Sequence, residues 1–264
     1  MPRHVVLLTD FGLADPYVGQ MKGVLLSLAP DALVVDLCHQ IEPFSVLQAG
    51  FFLAASQVYF PQGTVFVAVV DPGVGGGRRI VLVERDHKYF LAPDNGLLTF
   101  LPQDGGLVLA RDVTPSESGV SATFHGRDIF APLAARLANG EPPSRLGRDL
   151  PLESLVRAPG SEPVPTPEGV RAAVLHVDRF GNCILNLRRE AWTALIFGAK
   201  SPALVSPSRR ALAAVVTYER LAPGNIGITE GSQGYLELAM NQRSASAELG
   251  LAPGDPVIIR LDPD

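Results

Sequence analysis

The sequence predicts an α/β domain followed by a smaller, mostly β domain. Three observations carry this expectation. Strand and helix signals alternate through the first half of the 264 residues, a proline-rich stretch follows, and short strand-like runs separated by turns come last. The first half opens with an apolar run at residues 4–9, which turns at Asp10-Phe11-Gly12. Pro16 then opens a helix with Tyr17, Met21, Val24, Leu25 and Leu28 on one packed face. A second strand is expected at residues 32–37 and a second helix at 44–59. The run TVFVAVV (residues 64–70) is a third strand, rich in β-branched residues and ended by Asp71-Pro72-Gly73. Residues 79–84 and 88–92 form a hairpin on the same sheet, and a later helix at 129–137 stops at Asn139-Gly140. Strand, helix, strand, helix, strand is the order of a three-layer α/β/α domain with a mainly parallel sheet.

The texture changes at Glu141, where prolines and short polar breaks extend to Glu168. The expected division is therefore residues 1–150, a proline-rich linker at 151–169, and a β domain at 170–264. Within the last, strands are expected at 172–177, 183–187, 213–218, 234–239 and 256–260.

Composition narrows the function classes. With 47% hydrophobic and 19% charged residues the chain is not disordered. No apolar run approaches the ~20 residues of a membrane span. Met1-Pro2-Arg3-His4 leads straight into a strand with no signal-peptide pattern, so a soluble, cytoplasmic protein is expected. A net charge of −5 disfavours a general nucleic-acid binder. Cys38 and Cys183 form no C-x-x-C pair, which excludes a disulfide framework and a zinc–cysteine site.

Ligands in open α/β sheets sit outside the carboxyl ends of strands, where Asp10 and Asp71 fall. Each reads either as a turn residue or as a ligand carboxylate, Asp10 suiting a ribose diol. Arg78 lies seven residues beyond Asp71, across a glycine-rich loop that can bend the guanidinium back to the carboxylate. That loop is no phosphate cradle, because G-x-x-x-x-G-K-[ST] is absent and a strand, not a helix, follows it. Among the histidines, His4, His87 and His176 read as structural or solvated. His39 lies just past a strand end, and His125 lies on a loop preceding a helix, where sites are commonly built. Neither H-x-H nor H-x-x-x-H occurs, so no metal is expected. In the second domain Asp178-Arg179-Phe180-Gly181-Asn182 reads as a hairpin turn from which Asp178 and Asn182 project, an amide there suiting an adenine edge. Ser232 sets a hydroxyl just before another strand. The residues alone lead as far as a nucleoside-like ligand in a cleft.

Six motifs occur in one order: Thr9-Asp10-Phe11-Gly12 with Asp15-Pro16-Tyr17-Val18-Gly19, Val70-Asp71-Pro72-Gly73-Val74-Gly75, Pro93-Asp94-Asn95-Gly96, Phe124-His125-Gly126-Arg127-Asp128, Asp178-Arg179-Phe180-Gly181-Asn182 and Gly234-Tyr235-Leu236-Glu237. Together they resemble the S-adenosyl-L-methionine (SAM) hydroxide adenosyltransferases, or SAM hydrolases, relatives of fluorinase and chlorinase. The resemblance implies a β-barrel-like C-terminal domain and a homotrimer, each substrate lying between the N-terminal domain of one subunit and the C-terminal domain of the next. It implies attack of water or hydroxide on ribose C5′ of SAM, giving adenosine and L-methionine, with no cofactor, nucleic acid or membrane involved. Asp71, Arg78 and His125 match the catalytic positions, and retaining all three favours hydroxide over halide. Asp10, Phe44, Gly126, Asp178, Asn182, Ser232 and Met240 match substrate-binding positions. Gly231, where the family motif has asparagine, Gln233 and Cys38 depart from the pattern. Halide transfer to give a 5′-halo-5′-deoxyadenosine, and a non-catalytic SAM or adenosine sensor, are the alternatives. A methyltransferase is disfavoured because no G-x-G-x-x-G follows the first strand.

Overall fold

A computed structural model describes residues 4–101, 109–115, 120–188 and 199–263. The first three residues, on which the reading of the chain start partly rests, lie outside them. The protein is a mixed α/β chain that divides into two units, Met1–Ala158 and Pro159–Asp264.

In the first unit β1 (His4–Thr9), α1 (Tyr17–Leu28), β2 (Leu33–Cys38), α2 (Val46–Ser56), β3 (Val65–Val69), β4 (Ile80–Arg85), β5 (Lys88–Pro93), β6 (Leu109–Asp112), α3 (Ala131–Ala138) and β7 (Arg148–Leu150) follow in order. The seven strands form one sheet in the order β2-β1-β3-β5-β4-β6-β7. β1 pairs parallel with β2 and β3, and β3 parallel with β5. The β4–β5 hairpin and the β4–β6 and β6–β7 ladders are antiparallel. Alternation of side chains along a strand sorts the core into two clusters. Val5 and Leu7 join Val65 and Val67 with Met21 and Leu25 of α1 and Leu133 and Leu137 of α3. Val6 and Leu8 join Phe66, Ala68 and Phe90 with Ala49 and Leu53 of α2. β1 and β3 are apolar at consecutive positions because both their faces are covered, which is why these runs read so plainly in the sequence.

The elements differ from the sequence reading at four places. The second helix is shorter than residues 44–59: Phe44 takes φ +68°, a left-handed conformation that no helix accepts, and residues 57–59 form a 3₁₀ turn. The later helix begins at Ala131, because Gly126–Phe130 is a π turn in which the Ala131 N–H reaches back to the Gly126 carbonyl. Residues 141–168 carry structure of their own. β7 extends the sheet at its edge, and Asp94 receives Arg79 (2.5 Å) and the Val156 N–H (2.9 Å), tying this stretch to the β5 loop. In the second unit the run at 213–218 contains only a two-residue strand before a 3₁₀ turn at Tyr218–Arg220, since only Ala213 and Ala214 find a partner strand.

The second unit holds β8 (Val164–Thr166), β9 (Gly169–Val177), β10 (Cys183–Arg188), β11 (Ala199–Ser206), β12 (Arg210–Ala211), β13 (Ala213–Ala214), β14 (Ile226–Glu230), β15 (Tyr235–Met240), a short α4 (Ala245–Leu249) and β16 (Pro256–Pro263). Its nine-stranded sheet runs β12-β11-β16-β9-β10-β15-β14-β13, with β8 paired to β9. The strands at the two ends of that path, β12 and β13, are separated in sequence by Leu212 alone, so the sheet must curl until its ends nearly meet. Val174, Leu185, Leu236, Leu238, Val257 and Ile259 fill the interior. The Ser244 hydroxyl accepts the Ala247 N–H at the start of α4, and left-handed Gly250 ends it. No helix among the described residues is long and apolar enough to cross a membrane.

Candidate active site

The loops that leave the carboxyl ends of β1 and β3 lie side by side because those strands are neighbours. The loop after β3 begins at Asp71. Its turn is closed by the Val74 N–H on the Asp71 carbonyl (3.2 Å), and it carries the chain round to Arg78. Arg78 forks onto Asp71, with Nε donating to Oδ1 and Oδ2 at 3.1 and 2.9 Å and Nη2 donating to Oδ2 at 2.5 Å. The same Nη2 lies 2.7 Å from His125 Nδ1. Arginine has no acceptor atom, so Nδ1 accepts and the neutral ring carries its proton on Nε2. Asp71, Arg78 and His125, which the family resemblance names together, thus form one connected cluster. Burial, reinforced by the positive Arg78, pushes the His125 pKa below its ordinary value; Asp71 and Asp128 pull weakly the other way. The ring is therefore neutral at pH 7.

Two glycines fit the loops together. A Cβ on Gly75 would stand 2.3 Å from the Ala122 carbonyl oxygen, and Gly75 has φ +76°. Only glycine lets the Asp71–Arg78 loop close on the segment that leads to His125. A Cβ on Gly126 would crowd Met21, Phe11 and Phe124 at 3.1–3.2 Å. Phe11, Tyr17 and Phe124 meet edge to face, with centroids 5.1–5.9 Å apart, and join the β1 loop to the His125 segment. From the β5 loop, Asn95 Nδ2 donates to the Val70 carbonyl (2.8 Å), immediately before Asp71.

Asp10 lies at the end of β1, and its Oδ2 accepts the Phe44 N–H at 2.9 Å. That bond spans the β1 and β2 loops and helps hold Phe44 in its left-handed conformation. Phe44 is 70% exposed. A left-handed residue held through its main chain by a carboxylate, with its side chain exposed, makes this loop a candidate for binding.

The remaining candidates lie in the second unit. Asp178 closes the β9–β10 hairpin: Oδ1 accepts the N–H groups of Phe180 (2.9 Å) and Asn182 (2.8 Å), and Oδ2 accepts Asn182 Nδ2 at 2.9 Å. Gly181 is left-handed at φ +85°, as the turn requires. Asp178 and Asn182 were expected to project from this turn. Instead they pair with each other, and Asn182 is buried. Ser232 is exposed on the β14–β15 turn, and Met240 ends β15 with its side chain in the core. No hydrogen bond joins either of them to the Asp178 turn.

One pair was not singled out from the sequence. Glu237 is buried within β15, and the Tyr218 hydroxyl donates to its Oε1. Burial raises the Glu237 pKa, the negative Asp178 raises it further, and the tyrosine bond only partly opposes them. The Tyr218 pKa is raised as well, first by its own burial. Gly231 brings its backbone against this carboxyl, since a Cβ there would lie 2.8 Å from Oε2. The available signal was a single glutamate inside the otherwise apolar run Tyr235-Leu236-Glu237-Leu238-Ala239-Met240. Cys183, deep in the same unit, has its thiol pushed up to about 12 by burial, so it is inert. Among the described residues no group of three or more His, Cys, Asp or Glu is gathered to hold a metal ion.

An α/β unit that presents a carboxylate–arginine–imidazole cluster at its strand ends, with a curled β unit after it, defines a class that the whole chain also matches. The chain belongs to the SAM hydroxide adenosyltransferase family, whose N-terminal domain model matches residues 5–147 and whose C-terminal domain model matches residues 172–258. It is 40% identical over 265 residues to the (R)-S-adenosyl-L-methionine hydrolase of Thermus thermophilus, covering 97% of this chain and 98% of that one. A fluorinase of Nocardia brasiliensis is more distant, at 28% identity over 97% of this chain and 96% of its own length. The crystal structure of an uncharacterized conserved protein from Thermotoga maritima superposes with a TM-score of 0.84 at 34% identity, covering 97% of this chain and 99% of that one.

Proposed function

We propose that this protein hydrolyses SAM to adenosine and L-methionine, acting on the (R) epimer that its relatives' names specify. The observation that carries this reading is the Asp71–Arg78–His125 cluster, in which one guanidinium bonds both a carboxylate and a neutral imidazole. In the reaction an oxygen of water forms a bond to ribose C5′ as the C5′–S bond breaks. The sulfonium takes the bonding pair and leaves as the neutral thioether of methionine. The leaving group needs no acid, so the protein's task is to align the water, dehydrate the site and accept one proton. Alignment contributes up to about 7–11 kcal/mol and a positioned base about 10²–10⁴-fold. Arg78 holds the other two groups and favours negative charge developing on the oxygen.

Asp10 anchors the ribose diol, Phe44 covers the substrate and the Gly126 backbone approaches it. Asp178 and Ser232 hold the methionine end, Asn182 reads the adenine, and the Met240 backbone lies against the ligand. We further propose a three-layer α/β/α first domain (residues 1–150), a linker at 151–169 and a barrel-like second domain (170–264). These assemble as a cytoplasmic homotrimer whose substrate lies between the first domain of one subunit and the second domain of its neighbour. No cofactor is needed, because SAM brings its own leaving group.

Incubating the purified chain with an epimer mixture of SAM and separating the products tests this directly. Equal amounts of adenosine and methionine are expected, with the (R) epimer consumed. A 5′-halo-5′-deoxyadenosine formed with chloride or fluoride would instead assign halide transfer, and tightly held, unconverted ligand would assign a sensor. Changing Asp71→Asn and His125→Ala separately tests the cluster, and wild-type turnover in both would remove its catalytic role. Light scattering during gel filtration reads the assembly.

A further inference from the structure

We propose that His39 is a positioning residue for the ribose end of the site, its ring and its carbonyl holding the chain on both sides of the Asp10 carboxylate. The proposal rests on the reading of Asp10 as the ribose anchor. His39 Nδ1 lies 2.8 Å from the Thr9 hydroxyl, immediately before Asp10. The His39 carbonyl accepts the Gly12 N–H at 2.7 Å, two residues after it. The Thr9 hydroxyl also accepts the Phe11 N–H at 3.3 Å. The other ring nitrogen, Nε2, stands 3.1 Å from Asp36 Oδ1, off the line of a good hydrogen bond, and Asp36 Oδ2 accepts Lys22 Nζ at 2.6 Å. A line of four side chains therefore runs from α1 through β2 to the end of β1.

Threonine, histidine and aspartate in a row resemble a nucleophile with its base and orienter. Burial excludes that role. Thr9 is 0% exposed, so no substrate reaches its hydroxyl. The arrangement is a brace. A carboxylate that must meet two ribose hydroxyls has to be held within about 0.5 Å and 10–20° of its working pose. Asp10 lies on a turn whose Phe11 and Gly12 amides are both held through His39 or its partner Thr9. Its own Oδ2 is steadied by the Phe44 N–H. With the ring removed, the main-chain bond to Gly12 can persist, but Thr9 loses its partner and the turn is free to rotate Asp10 away from the diol.

The test compares adenosine with 2′,3′-dideoxyadenosine, each titrated calorimetrically into the full chain. In His39→Ala the affinity for adenosine should fall about tenfold, the effect of losing one well-placed hydrogen bond to a charged group, while dideoxyadenosine changes less than about twofold. KM for SAM should rise by a similar factor with kcat little changed. His39→Asn, whose amide reaches Thr9, should restore most of the adenosine affinity, whereas His39→Gln, whose amide extends toward Asp36, should not. The Asn and Gln pair keeps the test decisive if the alanine variant fails to fold. Equal loss for both nucleosides, no loss for either, or equal behaviour of the Asn and Gln variants overturns the proposal. If the wild-type chain itself binds the two nucleosides equally, the assignment of Asp10 fails first and this proposal goes with it.

Discussion

Asp71 and Glu237 are carboxylic acids whose side chains are shielded from solvent, one at a strand end of the first unit and one inside a strand of the second. The first is clasped by a guanidinium through three short contacts. The second meets a tyrosine hydroxyl and the field of another carboxylate, and among the described residues no cation shifts it. Burial penalises a charge in both places, but only the first supplies a compensating one. The difference holds Glu237 toward its neutral form, whereas Asp71 keeps a positive partner.

The largest expected effect comes from breaking the compensated pair. Arg78→Met leaves Asp71 buried without its cation and removes the partner of His125 Nδ1. Loss of one partner of a buried pair typically costs about 3–5 kcal/mol. Chemical denaturation should show a loss of that size together with loss of SAM turnover, whereas a stability within 1 kcal/mol of wild type would mean that the pair is hydrated and weak (about 0–1 kcal/mol). Gly75→Ala attacks the same cluster through the main chain. Its Cβ would meet the Ala122 carbonyl at 2.3 Å from a left-handed backbone. Strain of this kind costs of order 1–3 kcal/mol, and turnover should fall with it as the loop withdraws from His125.

How much of this contrast could be read in the sequence depends on whether a residue's partner lies nearby in the chain. The strand ends that present Asp10 and Asp71 were legible because strands covered on both faces announce themselves as unbroken β-branched runs. The contact of Arg78 with Asp71 followed from a seven-residue glycine-rich spacing that can close on itself. Spacing alone carries no sign that His125 converges on that pair, since 47 residues separate it from Arg78; only the family resemblance names the three together. The Tyr218–Glu237 pair was missed for a related reason. A glutamate in a strand reads as solvent-facing unless its partner is known, and Tyr218 was expected inside a strand that ends at Ala214. Apolar spacing carries no information about φ, so it extends the second helix over the left-handed Phe44. The Thr9–His39 contact left only a histidine just past a strand end as its trace.

Removing charge at the uncompensated position should have the opposite sign. The folded-state pKa of Glu237 is raised above the unfolded value of 4.5. Its contribution to stability is therefore fully present below that pH and lost as pH rises through the folded pKa. Glu237→Gln keeps the shape and remains neutral. It should match the wild type in thermal melts near pH 4 and exceed it at pH 8. Identical pH profiles would mean that the carboxyl ionises in the fold as readily as in water.

The smallest effect concerns the imidazole that Arg78 joins to Asp71 in the first cluster. The folded-state pKa of His125 is depressed below 6.5, so the stability from its neutral ring is present above that pH and lost as pH falls through the folded pKa. The acid limb of kcat/KM for SAM should accordingly lie below 6.5, because a protonated ring cannot accept from Arg78. The nearby Asp128 carboxylate opposes the depression, so Asp128→Asn should move the limb further toward acid. Arg127 and the Ser121 N–H both bond Asp128, so some loosening of that segment accompanies the change and lowers kcat at every pH alike. The position of the limb, not its height, is what reports on the imidazole. A limb above 6.5, or one that moves toward neutral in this variant, would show that a different group controls the acid side and that charge in this cluster is not shared as its geometry indicates.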